Sequence, residues 1–135
     1  MSDYDPVVRT RTLARIIGPY LVIVGAMLLA RQDTLPPLLS AFMEDAPLVL
    51  ATGAFTLMAG LVIITAHHHW KGAAAIAISL IGIVAGLKGA SLMIAPDLGA
   101  EMTVALVRAP YVLAIASGVE LLIGIWLSFV GWLAK

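Results

Sequence analysis

Two charged residues interrupt long apolar stretches of this sequence, and they are its first candidates for chemistry. Lys88 follows the segment AAAIAISLIGIVAGL, and Glu120 follows PYVLAIASGV. A charge in the hydrocarbon of a membrane costs at least about 2.5–3.5 kcal/mol, so it usually faces protein and has a partner. The predicted depths of the two Cα atoms differ by roughly 6 Å, a gap that a lysine side chain spans. We therefore expect an intramembrane charge pair between Lys88 and Glu120.

Three interpretations of these charges remain open. In the first, the pair only fixes the register of the helices, either within one chain or through groups of a neighbouring subunit. In the second, Lys88 extends its ammonium group outward to the lipid headgroups. In the third, Glu120 binds a proton, an ion or a ligand with Lys88 as its counter-charge, because small residues on the same helix face leave space beside Glu120.

His67, His68 and His69 are the only histidines in the chain. Histidine is a common metal and haem ligand. Consecutive residues on a helix point about 100° apart, however, so three in a row cannot all bind one ion from a regular helix. The chain has no cysteine, and none of the three histidines lies deep in an apolar stretch. We favour a solvated cluster at the membrane interface and predict no cofactor; metal, haem or pigment binding is the alternative.

The composition indicates what class of protein positions these residues. Of the 135 residues, 61% are hydrophobic and only 12% are charged, with equal numbers of each sign. Soluble domains are near 45–50% apolar and about 25% charged. The chain therefore has too few charges for the surface of a soluble enzyme or a nucleic-acid-binding protein. We expect an integral membrane protein that is not an enzyme, with the lipid bilayer as its solvent.

Four apolar segments are long enough to cross a bilayer as helices. They cover residues 13–30, 47–66, 73–94 and 110–132. The hydrocarbon core requires roughly 20 helical residues. Lipid offers no hydrogen-bond partners, so each segment must satisfy its own backbone groups, as a helix does. We predict an all-α integral membrane fold with four transmembrane helices in a single domain, residues 1–135.

Lysine and arginine are distributed unevenly between the two ends of these spans. One end has Arg9, Arg11, Arg15, Lys71 and Lys135, and the other has Arg31 and Arg108. The end with more lysine and arginine faces the cytoplasm in membrane proteins. We therefore expect both termini and the histidine cluster to be cytoplasmic.

The second half of the chain repeats the first at a spacing of 64 residues. The matches are Ile17-Gly18 with Ile81-Gly82, Gly25-Ala26 with Gly89-Ala90, and Gly60 with Gly124. Each half consists of a helix, an outer loop and a second helix. We predict two parallel-repeat helical hairpins, related by a pseudo-two-fold axis along the membrane normal. The outer loops, residues 34–44 and 97–107, are predicted to be short amphipathic helices on the outer interface, as shields of the bundle end or as a lid.

Small residues predict where the helices touch, because they let two backbones approach closely in lipid. The expected packing residues are Gly82, Gly86 and Ala90 in the third span, Thr56 and Gly60 in the second, and Ser117 and Gly124 in the fourth. Under the repeat, Thr56 and Glu120 occupy equivalent positions. The faces that carry them are therefore both expected to turn inward.

The third span and its flanks carry a resemblance to a known group of proteins. The pattern consists of His69-Trp70-Lys71-Gly72, Leu87-Lys88-Gly89 and Pro96 at the end of the span. It resembles the sequences of small four-span inner-membrane proteins of bacteria whose function is unassigned. The resemblance implies the fold and a bacterial inner membrane, and it implies no activity or cofactor. The two histidines before His69 depart from that pattern.

Two functions of different classes follow from these observations. The first is a non-catalytic accessory or structural subunit that packs against a larger membrane complex or against copies of itself. The second is a small ion- or proton-coupled transporter or channel that uses Glu120 and Lys88. Binding of haem or a pigment through residues 67–69 is a third.

Overall fold

The computed structural model describes residues 5–67 and 69–134 of the chain, and these residues form an all-helical fold. The helices are α1 Pro6–Ala30, α2 Leu35–Glu44, α3 Ala46–Ala66, α4 Ala73–Ile94, α5 Pro96–Arg108 and α6 Pro110–Trp132. Four of them, α1, α3, α4 and α6, are long and apolar enough to cross a membrane. The prediction of four membrane-spanning helices is confirmed at this level.

Helix α1 differs from its predicted span because it begins at Pro6 and not at residue 13. The Asp5 carboxylate accepts a hydrogen bond from the backbone N–H of Val7 at 2.9 Å. Proline at the first helical position has no N–H group that would need a partner. The Asp5 carboxylate pairs with one of the remaining N–H groups of the first turn. The helix therefore extends beyond the apolar stretch and carries Arg9 and Arg11 in its first turns.

The two predicted loop helices are present as α2 and α5. Proline occupies the first turn of each, as the start of a helix tolerates. Thr34 precedes α2, but its hydroxyl donates to the carbonyl of Arg31 at 3.2 Å and makes no cap hydrogen bond. Helices α2 and α5 contact each other at one end of the bundle.

The long helices form two closely packed pairs. Helix α1 packs along α6, and α3 packs along α4. A smaller contact between α1 and α4 joins the two pairs. The buried cluster at this junction consists of Ala14, Ile17, Ile78 and Leu127. The main neighbour of each long helix therefore comes from the other half of the chain.

Glycines allow the close approach within both pairs. A Cβ atom on Gly124 of α6 would lie 2.7 Å from the backbone nitrogen of Val22 in α1. A Cβ atom on Gly60 of α3 would collide with the backbone of Gly86 in α4. No side chain larger than hydrogen fits at these two positions without a shift of one helix.

The contacts of one pair recur in the other at equivalent positions. Each residue below lies 64 positions from its counterpart. Gly25 meets Leu121 and Gly89 meets Leu57; Gly124 meets Val22 and Gly60 meets Gly86. Gly18 meets Ser128, whereas Gly82 meets Ile63 first and Ile64, the counterpart of Ser128, at 3.3 Å. The α1–α6 pair and the α4–α3 pair therefore use the same positions of the two halves.

Candidate functional site

Lys88 lies on a side of α4 that the rest of the chain leaves uncovered. Its side chain is exposed, as is that of Val84 one turn earlier on the same helix face. Within the described residues, no group forms a hydrogen bond or an ion pair with its ammonium. Lys88 is therefore an exposed charge well inside a helix that is apolar enough to span a membrane.

Glu120 lies at the edge of the packed face of α6. It is half-buried, whereas Ser117 one turn before it and Gly124 one turn after it are buried. The Ser117 hydroxyl donates to the carbonyl of Leu113 in its own helix at 2.7 Å. On this face, Glu120 is therefore the polar residue whose side chain forms no hydrogen bond with its own helix.

Lys88 is the cation whose charge acts on the Glu120 carboxylate. No hydrogen bond or direct ion pair joins the two side chains, both of which the structure describes. The attraction between them therefore acts across a longer gap, where it is weaker than in a contact pair. The direct Lys88–Glu120 pair expected from the sequence is not among the contacts of this structure.

The predicted packing residues lie where the long helices meet or at the edges of those contacts. Five of them are buried, and the other two, Ala90 and Thr56, are half-buried. The buried ones are Gly82, Gly86, Gly60, Ser117 and Gly124. The hydroxyl of Thr56 donates to the carbonyl of Thr52 at 2.7 Å and is satisfied within α3.

His67 is a buried polar residue at the end of α3, with 1% of its surface exposed. Its Nε2 lies 2.7 Å from the hydroxyl oxygen of Thr10 in α1. Its Nδ1 lies 3.1 Å from the hydroxyl oxygen of Ser79 in α4. The ring thus connects three helices through hydrogen bonds, and buried polar groups require such partners.

Of the other two histidines, the structure describes only His69. The His69 ring meets the His67 ring edge to face, with centroids 5.4 Å apart, and His68 lies outside the described residues. In the part of the chain that the structure describes, no three acidic or histidine side chains are placed to hold a metal ion. Because hydroxyl groups occupy both ring nitrogens of His67, its contacts are those of a structural residue.

Sequence reasoning missed a polar connection between α1 and α6. Arg15 donates from Nε to the carbonyl of Gly131 at 2.7 Å. The indole of Trp132 donates to the carbonyl of Arg15 at 3.2 Å, and the guanidinium lies 5.7 Å from its ring centroid. The spacing of 64 residues could have predicted this connection. Arg15 and Gly131 lie 64 positions from Ser79 and His67, which also contact each other.

Comparison of the chain with protein-family models, curated proteins and solved structures finds no match. The interpretation of these sites therefore depends on their own geometry.

Proposed function

We propose that this chain is a non-catalytic small membrane protein that packs, as an accessory or structural subunit, against a larger membrane protein or a second copy of itself. The exposed position of Lys88 in α4 carries the proposal. A lysine against lipid costs at least about 2.5–3.5 kcal/mol at the centre of a span, so it usually faces protein. Lys88 lies six residues inside the end of α4. In this chain no group pairs with it, so a neighbouring protein is the natural source of its partner.

The low internal burial of the spans supports the same proposal. In each span, between 17% and 33% of the residues of an 18-residue apolar stretch are buried inside the chain. The rest faces lipid or other protein. Four helices that cover so little of one another leave wide faces on which a partner can pack.

We also propose that the two halves arose by duplication and are related by a pseudo-two-fold axis parallel to the long helices. The support is the recurrence of helix contacts and of polar connections at positions 64 apart. Lys88 breaks this symmetry, because its counterpart in α1 is Val24. The symmetry predicts two equivalent outer faces, of which one carries a charge, so the partner binds the α4 face and not the α1 face.

The proposed location is a bacterial inner membrane, with both termini in the cytoplasm. The excess of lysine and arginine at the end that holds the termini supports the orientation. The resemblance over residues 69–96 supports the choice of membrane.

Purification in a mild detergent tests the proposed association. We expect a particle larger than the 14.2 kDa chain with its detergent, containing a second protein or a second copy. Lys88→Leu leaves the partner's acceptor stranded, at a cost of about 3–5 kcal/mol or more than roughly a hundredfold in affinity. Arg31→Leu, at the end of α1 and outside the spans, is the control. A wild-type chain that is monomeric under all mild conditions contradicts the proposal.

A second candidate function is transport of protons or ions through Glu120. The observation in its favour is that Glu120 is half-buried within α6, between the buried small residues Ser117 and Gly124. In liposomes, Glu120→Gln should then keep the wild-type thermal stability and lose a pH-dependent flux. Equal flux in protein-free and protein-containing liposomes would contradict a transport function.

A further inference from the structure

A cleft that carries cationic side chains lies at the end of the bundle where α1 begins. Its volume is about 870 Å³, within the range of about 300–1,000 Å³ for ligand sites. The first turns of α1 and α4 form two of its walls, and the last turns of α6 form the third. It therefore lies between equivalent segments of the two halves, next to the junction of α1 and α4.

The charges of this cleft have one sign. Arg11 and Lys71 line it, and no aspartate or glutamate is among its described lining residues. Neither cation has a hydrogen-bond or ion-pair partner among the described residues. The nearby Asp5 carboxylate accepts from the backbone N–H of Val7 and pairs with neither cation, so the two cations favour a negatively charged occupant.

The deeper wall of the cleft is apolar. Ala74, Trp126 and Val130 line it below the cations. Along α6 the lining extends from Val130 to Trp126, about 6 Å at 1.5 Å per residue, and Ala134 lines the cleft just beyond the end of the helix. The cleft therefore runs from the level of the helix ends into the apolar part of the bundle, a shape that suits an amphiphile and not a free anion.

We propose that this cleft binds an anionic glycerophospholipid from the adjacent leaflet. Its phosphate would lie between Arg11 and Lys71, and the upper part of its acyl chains would lie against Trp126 and Val130. Basic pockets between transmembrane helices bind such headgroups, and tryptophan is favoured at this depth of the bilayer. This binding is separate from the partner surface around Lys88.

The quenching of tryptophan fluorescence by brominated lipids tests the proposal. The chain has three tryptophans, of which Trp70 and Trp126 line the cleft and Trp132 does not. A variant with Trp70→Phe and Trp132→Phe reports on Trp126 alone. A second variant with Trp70→Phe and Trp126→Phe reports on Trp132, which is exposed to bulk lipid.

We expect brominated phosphatidylglycerol to quench Trp126 in preference to brominated phosphatidylcholine. Each cation near the surface contributes about 1 kcal/mol, which is about fivefold in binding, so the preference for two cations lies between about fivefold and thirtyfold. It should fall as salt is raised, because the two cations are partly exposed. The ring of Trp132 lies 5.7 Å from the Arg15 guanidinium, so it should show at most the roughly fivefold preference of a single cation.

Charge variants identify the source of the preference. Arg11→Gln with Lys71→Gln should abolish it, and Arg11→Lys with wild-type Lys71 should keep it. Arg31→Gln with Arg108→Gln removes the same net charge from the other end and should leave it unchanged. Unlabelled phosphatidylglycerol should relieve the quenching of the Trp126 reporter by brominated phosphatidylglycerol, a measurement that needs no charge variant to fold.

Three results would overturn the proposal. The first is equal quenching of Trp126 by the two brominated lipids. The second is a preference that survives loss of both cations. The third is displacement of the lipid by inorganic phosphate alone, which would show that the cleft takes a soluble anion.

Discussion

Lys88 and Glu120 create the main electrostatic cost of placing this chain in a bilayer. One is exposed and the other half-buried, and their attraction acts without direct contact. Both charges could be predicted to lie inside spans from the sequence alone, because each interrupts a long apolar segment. The sequence did not place their side chains, because the rotation of α4 and α6 about their axes depends on contacts between the two halves.

A double-mutant cycle measures how strongly the two charges interact. We expect Lys88→Met and Glu120→Gln to couple by roughly 0.5–1 kcal/mol, at the low end for interacting residues, because no direct ion pair joins the side chains. The measurement is the free energy of unfolding in detergent for the two single variants and the double variant. Strict additivity would mean that the residues do not interact, and a coupling of several kcal/mol would indicate a direct buried pair.

His67 should contribute to stability through its two hydroxyl partners. His67→Ala removes hydrogen bonds to Thr10 and Ser79 in a buried site, so we expect a loss of about 1–3 kcal/mol. His69→Ala is the control, because its ring is only half-buried. Thermal unfolding in mild detergent compares the two variants. Equal losses in both would contradict a special structural role for His67.

The helices themselves were largely predictable from the sequence. A bilayer demands long apolar segments, so α3, α4 and α6 lie within one residue of their predicted bounds. The early start of α1 was missed because it depends on the Asp5 cap and Pro6, and not on hydropathy. The pairing of α1 with α6 was also missed, since many helices of equal hydropathy can pack on one another and only the glycine contacts select among the arrangements.

Glycine substitutions test these helix pairs. A Cβ atom at Gly89 would collide with the backbone of Leu57, so Gly89→Ala should destabilise the protein by about 1–3 kcal/mol. Gly25→Ala, the equivalent change, should cost less because its nearest atom is 3.0 Å away. Gly118 has open space around it and serves as the control, with a neutral or stabilising effect. Unfolding by a denaturing detergent ranks the three, and an equal loss in Gly118→Ala would contradict the packing.

At the scale of the whole molecule, the distribution of lysine and arginine predicts the orientation in the membrane. The chain contains no native cysteine, so single cysteines give an unambiguous signal. A cysteine at Ser40 should react with an impermeant reagent from outside intact cells, and one at Ser2 only after the cells are opened. Labelling of Ser2→Cys from outside intact cells would show that the N-terminus faces the outside, which contradicts the predicted orientation.

The proposed repeat would give the whole molecule two equivalent outer faces, of which only one carries Lys88. Val84 lies one turn from Lys88 on α4 and is 62% exposed, and its counterpart on α1, Tyr20, is 64% exposed. Position and exposure are therefore matched, and the presence of Lys88 is the main difference between the two sites.

A photo-crosslinking amino acid at Val84 or at Tyr20, irradiated in native membranes, tests the proposed association most directly. If a partner covers the Lys88 face, the Val84 variant forms a protein adduct, with another protein or with a second copy, and the Tyr20 variant forms mainly lipid adducts. Absence of a protein adduct at Val84, or equal protein adducts at both positions, would contradict a partner surface at Lys88.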